Sequence, residues 1–183
     1  MLRKGWKPMP IIGAGYFDVT CPLFVANSYP VLLLQAVLLS HKTKSNFMAT
    51  LHVQVTVNAP VEKVWEYWTS PTHIKNWNSA SEDWHTPHAT NDLREGGSFT
   101  ARMEAKDGSM GFDFGGVYHA VDTHKRIAYA MSDGRKVDVL FETDGTQTVV
   151  KEAFDAETTN PEEFQQQGWQ AILDNFKKYT ENN

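Results

Sequence analysis

The ionisable residues come first, because they could carry chemistry. His85-x-x-His88, with Asp83 and Asp92 nearby, is the tightest grouping among seven histidines. Zinc needs three or four ligands held by further hydrogen bonds. This spacing is loose, and Pro87 interrupts it. His85 therefore reads as a polar group on a cavity wall or a hydrogen-bonding loop residue, and His88 as solvent-exposed. Neither a metal nor another cofactor is expected. Arg102, Glu104, Asp113, His119 and Arg135 could polarise a carbonyl or move a proton if they faced inward. Alternation puts Arg102 and Glu104 opposite Phe99, Ala101 and Met103. An outer, solvated ion pair is the plainer account of them. The single cysteine, Cys21, excludes an internal disulfide framework. Gly108-Ser109-Met110-Gly111 lacks the spacing of a nucleophile elbow, and no strand–turn–helix surrounds Gly13-Ala14-Gly15. No catalytic residue is assigned.

The aromatic residues form a more coherent set. Trp84, Phe99, Phe112, Phe114, Tyr118, Tyr129, Phe141 and Trp169 can line a cavity, with Leu173 beside Trp169 on the same helical stripe. Each of them can also be ordinary core. Tyr118 and Tyr129 stand apart, because a buried hydroxyl needs a partner and can orient a ligand. Trp169 follows Gly168, which lowers helix propensity and suggests close approach or room for a ligand.

These side chains need elements to hold them. Leu51, Val53, Val55 and Val57 alternate with polar residues, as in a half-buried strand. Val61, Val64, Trp65 and Trp68 fall on one helical face behind Pro60, and Ser70-Pro71 closes that helix and opens a second through Ile74 and Trp77. Asp107-Gly108, Asp133-Gly134 and Asp144-Gly145 signal tight hairpins, and 122–125 a further turn. The intervening runs, 98–105, 112–121, 126–131, 136–142 and 147–154, predict an antiparallel meander. Gly115-Gly116 suggests a bulge or a strong bend. Asn160-Pro161-Glu162-Glu163 predicts a capped helix of four to five turns, with Trp169, Ile172, Leu173 and Phe176 on its apolar face and Lys177 and Lys178 in its last turn. The fold class is α+β. A long helix covers a curved sheet and can leave a cavity beneath it.

Charge divides the 183 residues unevenly. Residues 1–47 hold five basic residues and one acidic, whereas 48–183 hold twelve basic and twenty-one acidic, a net −9. An acidic body repels phosphate backbones, so nucleic acid is not an expected partner. No apolar run reaches the roughly 18 residues of a membrane span. Residues 1–47 carry four of the eight prolines and one apolar run, 31–39. They read as an upstream extension, unstructured or an artefact of start-site choice, with Met48 as the natural start of a 48–183 domain. An export signal and a short apolar helix packed on the body are the alternatives. A cytoplasmic protein is expected.

Ala59-Pro60-Val61-Glu62-Lys63-Val64-Trp65 begins a set of motifs that continues with Trp84-His85-Thr86-Pro87, Asp92-Leu93-Arg94-Glu95-Gly96-Gly97, Phe112-Asp113-Phe114-Gly115-Gly116-Val117-Tyr118 and Gly168-Trp169-Gln170-Ala171-Ile172-Leu173-Asp174-Asn175-Phe176. In this order they resemble the START-like (SRPBCC) superfamily, and within it the branch related to the heat-shock-protein-90 ATPase activator homologues. The resemblance spans about 50–180. It implies a helix-grip fold, with a curved antiparallel sheet around a long C-terminal helix and two short helices after the first strand. It also implies a cavity for a small hydrophobic molecule: a lipid, acyl chain or polyketide-like compound. Trp84, His85, Phe112, Phe114, Tyr118, Tyr129, Phe141, Trp169 and Leu173 are the residues expected to bind it. A cyclase or hydrolase working in the same cavity is the second reading, and a stress-related chaperone partner the third. The eukaryotic co-chaperone carries a separate N-terminal domain, for which this chain has no room.

Overall fold

The computed structural model describes residues 49–183. The expectation for residues 1–47 lies outside the described residues. Ten elements follow one another: β1 (Thr50–Val57), α1 (Val61–Thr69), α2 (Pro71–Trp77), β2 (Trp84–Asn91), β3 (Ser98–Ala105), β4 (Gly111–Asp122), β5 (Arg126–Met131), β6 (Lys136–Thr143), β7 (Thr148–Asp155) and α3 (Glu162–Asn182). Strands β2 to β7 form an antiparallel meander. The first strand returns to lie beside the last, so the sheet order is β1-β7-β6-β5-β4-β3-β2. This is the helix-grip arrangement, with α3 against the apolar face of a curled sheet.

Local chemistry accounts for the turns. At each Asp-Gly pair the carboxylate accepts a backbone N–H two residues on: Asp107 from Ser109 at 2.9 Å, Asp133 from Arg135 at 3.1 Å, and Asp144 from Thr146 at 3.0 Å. The glycines take the left-handed conformation that the reversal requires, with φ of 73°, 86° and 99° at Gly108, Gly134 and Gly145.

Alternation sorts the strands into two faces. Val53, Val55 and Val57 of β1, Val150 and Phe154 of β7, Val137, Val139 and Phe141 of β6, and Ile127, Tyr129 and Met131 of β5 are all buried on one face. α3 adds Leu173 and Phe176 to that core. The outer edge of β1 is not left open. Gln166 of α3 donates to the His52 carbonyl at 2.7 Å, and Gln170 donates to the Gln54 carbonyl at 3.1 Å. Side-chain amides thereby occupy backbone groups that would otherwise template a foreign strand.

Four sequence expectations need correction. The segment Trp84–Asn91 is a full strand, β2, which the sequence reading left without an assignment. Pro87 tolerates it because β2 is an edge strand, and the register with β3 shifts between His85 and His88. The bulge in β4 lies between Tyr118 and Ala120, not at the glycine pair. Helix α3 runs 21 residues, past Lys178 to Asn182, so no basic residue occupies its last turn. Asn160 does not cap α3 with its side chain: Pro161 is the N-cap residue, and the Asn160 amide donates to Glu157 at 2.7 Å.

The glycine pair has a different role. A Cβ on Gly116 would stand 2.4 Å from the Ala130 carbonyl oxygen, and one on Gly115 would stand 2.6 Å from the Phe99 carbonyl oxygen. Both obstacles are backbone, so relief requires the strands to part. Gly116→Ala is expected to reduce stability by roughly 1–3 kcal/mol or more. Urea denaturation measures this directly. An unchanged midpoint would show that β4 and β5 are not locked at this separation.

Candidate functional site

The apolar face carries two buried clusters. The larger one runs from β1 through β5 to α1, α2 and α3, and the smaller one holds Trp84, Met103 and Ala105. Phe114 and Ile172 pack against both of them, and Met110, Phe112, Phe114, Trp169 and Ile172 are only partly buried along that seam. Trp169 of α3 stacks on Phe154 with centroids 4.0 Å apart and planes at 9°. Its edge-to-face contact with Phe114 is at 6.0 Å. Phe99 meets Tyr118 at 5.1 Å and Tyr129 at 4.8 Å. Trp169, Phe114, Tyr118 and Tyr129 are thus drawn together around Phe99 and Phe154.

The other expected residues are placed differently. Trp84 and Phe112 meet at 6.0 Å in the smaller cluster. Phe141 lies under α1, against Trp65 at 5.2 Å and Trp68 at 5.8 Å, and is separated from the Trp169 group. Leu173 is sealed in the core. His85 falls on the opposite face from Trp84 and Thr86, its side chain is 42% exposed, and its Nε2 lies 3.4 Å from Glu104.

Four of the five acid–base candidates, Arg102, Glu104, Asp113 and His119, lie on the outer face or are exposed, whereas the charge of Arg135 acts on the buried Tyr129. Arg102 pairs with Glu104 at 3.2 Å and with Asp113 at 3.4 Å across β3 and β4, on the outer face as alternation required. His119 is exposed at the bulge, and Arg135 is held by Asp133 at 2.7 Å in the β5–β6 turn. Among the described residues no group of three or more His, Cys, Asp or Glu side chains could hold a metal ion.

One acid on the inner face escaped the sequence reading. Glu152 of β7 shares the parity of Val150 and Phe154, lies between Val53 of β1 and Val139 of β6, and is 6% exposed. No described residue gives it a hydrogen bond or an ion pair. Burial pushes its carboxyl up to about 8, so at neutral pH it is chiefly the protonated acid. Tyr129 is nearly as buried, at 7%, and its hydroxyl also has no hydrogen-bond partner among the described residues. Burial raises the Tyr129 hydroxyl well above its ordinary value; Glu152 and Tyr118 add to this, and Arg135 opposes it. Tyr118 is satisfied by comparison, donating to Asn91 Oδ1 at 2.9 Å. Burial raises it too, and the hydrogen bond to Asn91 works the other way. The signal for Glu152 was present in the sequence as an acid in the apolar register of Val150-x-Glu152-x-Phe154.

A concavity of about 510 Å³ opens beside β1, β6 and β7, where Val53, Glu152, His52, Lys151, Leu140 and Gln170 of α3 are among its lining residues. It is open, and its surface is mostly apolar.

The profile of the Activator of Hsp90 ATPase homolog 1-like protein family matches residues 58–181, which is most of the chain. The chain belongs to this family. The solution structure of the AHSA1-like protein from Aeromonas hydrophila is 46% identical, with a TM-score of 0.69 over 73% of this chain and 93% of that one. A Cytophaga hutchinsonii protein is 57% identical, with a TM-score of 0.64 and the same coverage, 73% and 93%. A Nitrosomonas europaea protein, 18% identical with a TM-score of 0.62, covers 73% and 94% and shares the fold. No curated protein matches the chain. For this member of the Activator of Hsp90 ATPase homolog 1-like family, no helix among the described residues is long and apolar enough to cross a membrane.

Proposed function

We infer that the domain binds a small hydrophobic or aromatic molecule, such as a lipid, an acyl chain or a polyketide-like compound, between the sheet and α3. The observation that carries this reading is the seam of partly buried aromatic residues, Trp169, Phe114 and Phe112, running between two buried clusters. A core closed on itself would cover such side chains, whereas a ligand can complete their burial. Each fully covered aromatic contributes on the order of 2 kcal/mol, so two or three of them would hold a small apolar molecule at roughly millimolar to tens-of-micromolar concentration. Tyr129 and Glu152 would set its orientation. A cytoplasmic setting and the absence of a nucleic-acid partner belong to the same reading, which the acidic charge of 48–183 supports.

The test is native mass spectrometry of the purified full chain, followed by solvent extraction. A bound apolar molecule is the expected result. Two negative results together would overturn the reading: an empty protein, and no change in Trp169 emission on titration with apolar probes.

Glu152 favours a second reading, in which the cavity catalyses a cyclisation or hydrolysis. An acid that titrates near neutrality can give up and recover a proton during turnover. Conversion of the extracted ligand by the native protein, lost in Glu152→Gln with binding retained, would establish it. The family description also invites a chaperone ATPase-stimulation assay. Only Val117 and Leu140 are large exposed apolar residues among those described, a narrow basis for docking a chaperone.

A further inference from the structure

The ligand reading above leaves the polar group of the ligand unspecified, and the inference drawn here rests on that reading. We propose that Glu152 and Tyr129 form a binding end for an organic cation, so that the ligand carries a protonated amine and lays its apolar remainder against Trp169, Phe154, Phe114 and Phe99.

Three observations point the same way. The first is the pair of polar ends, a carboxyl and a phenol hydroxyl, more than nine-tenths buried and without hydrogen-bond partners among the described residues. Their oxygens are not sealed from solvent, since Thr180 Oγ1 is the one buried side-chain atom without a partner among the described residues, so an incoming polar group can reach them. The second is the surrounding ring faces. Trp169 stacked on Phe154 and the Phe99–Tyr129–Tyr118 group surround the position, and a ring face turned toward a ligand attracts a cation through its quadrupole. The third is the charge of the body, twelve basic against twenty-one acidic residues in 48–183, which raises the local concentration of cations.

The neighbours of Glu152 leave its charge unanswered. On β1 and β6 it faces Val53 and Val139, on β5 Tyr129, and α3 lays Trp169 and Leu173 over this face. Arg135 is the one cation whose field reaches Tyr129, and it is already engaged by Asp133. An incoming ammonium therefore supplies the missing partner. The proton that Glu152 carries at neutral pH leaves to solvent, the carboxylate accepts from the ammonium, and the Tyr129 hydroxyl is free to donate to the same carboxylate. Charge in the buried site balances at zero before and after, once the ligand's own charge is counted. A carboxylate ligand would meet like charge once Glu152 has shed its proton, above about pH 8.

The experiment is calorimetry on the full chain with three matched probes: 2-naphthylmethylamine, 2-naphthalenemethanol and 2-naphthoic acid. The amine is expected to bind roughly tenfold or more tighter than the alcohol, the range of a buried charge-assisted hydrogen bond. Its affinity should rise from about pH 7 to about pH 8.5, as Glu152 sheds its proton in advance. Near pH 7 its binding enthalpy should depend on the buffer, reporting a released proton. Glu152→Gln should erase the preference for the amine and keep the affinity for the alcohol. An amine no tighter than the alcohol, a carboxylic acid tighter than both, or a preference that survives Glu152→Gln overturns the proposal and leaves the apolar pocket standing. Failure of all three probes to bind overturns the pocket reading and this proposal with it. The wild-type comparison decides even if the variant does not fold.

Discussion

Glu152→Gln is expected to make the unliganded protein more stable at alkaline pH and to remove the fall in stability that Glu152 causes between about pH 4.5 and 8. The carboxyl is raised in the folded state from its ordinary 4.5 to about 8. Below 4.5 it is protonated in both folded and unfolded chains and contributes no pH dependence. Between the two values the unfolded chain ionises while the folded chain keeps its proton, so the unfolded state binds fewer protons and stability falls as pH rises. Above about 8 the full penalty is in place, up to roughly 5 kcal/mol by linkage. The amide carries no charge at any of these values and escapes that penalty. Near pH 5 the two proteins should agree within about 1 kcal/mol, and above pH 8 the variant should melt higher by more than about 10 °C. The difference between the two stability–pH curves isolates this residue, because the other titrating groups cancel. A flat difference curve would mean that Glu152 is ionised and solvated in the native protein. The site reading and the cation proposal would then lose their polar end.

Phe176→Ala should produce the largest loss of stability in the C-terminal helix. The side chain is fully buried, and its ring meets Trp68 edge-on at 4.9 Å and Trp77 at 5.0 Å. It joins α3 to both short helices, as Tyr179 does one turn further on through Tyr67 and His73. Truncation removes the burial of a phenyl group and two edge-to-face contacts, and leaves a cavity walled by rigid indoles that cannot collapse into it. A cost of about 3–5 kcal/mol follows, or roughly 10 °C or more in the melting temperature. Differential scanning calorimetry of the full chain measures it. A loss below about 1 kcal/mol would mean that α1 and α2 hold to the sheet independently of α3.

The two variants mark where sequence reasoning succeeded and where it stopped. Phe176 was legible, because Trp169, Ile172, Leu173 and Phe176 repeat at helical spacing and such a stripe must be buried. The strands were equally plain, and Ser98–Ala105 and Arg126–Met131 fall at the residues the sequence marked. Strand β2 was hidden by Pro87 and by a register shift that breaks its alternation. The end of α3 was misjudged because tertiary contacts hold its last turn: Tyr179 packs against Tyr67, and Glu181 accepts the Asn58 N–H at 2.8 Å.

The candidate site was only half legible. Aromatic residues announce themselves by type, but type does not say which of them share a wall. His85 and Phe141 joined the expected set on composition, and strand pairing then placed one on the outer face and the other under α1. Glu152 was omitted although its position in β7 already assigned it to the apolar parity.

The sequence by itself determined the periodicities: which segments are strands, which are helices, where the Asp-Gly turns fall, and which family these motifs resemble. Those are local properties, set by spacing and backbone chemistry within a few residues. Only the tertiary structure decided that β1 lies beside β7, that Glu152 sits between Val53 and Val139 with no polar partner among the described residues, and that Trp169 closes on Phe154. These depend on contacts between residues far apart in the chain, and burial, which sets the protonation of Glu152, exists only once those contacts have formed.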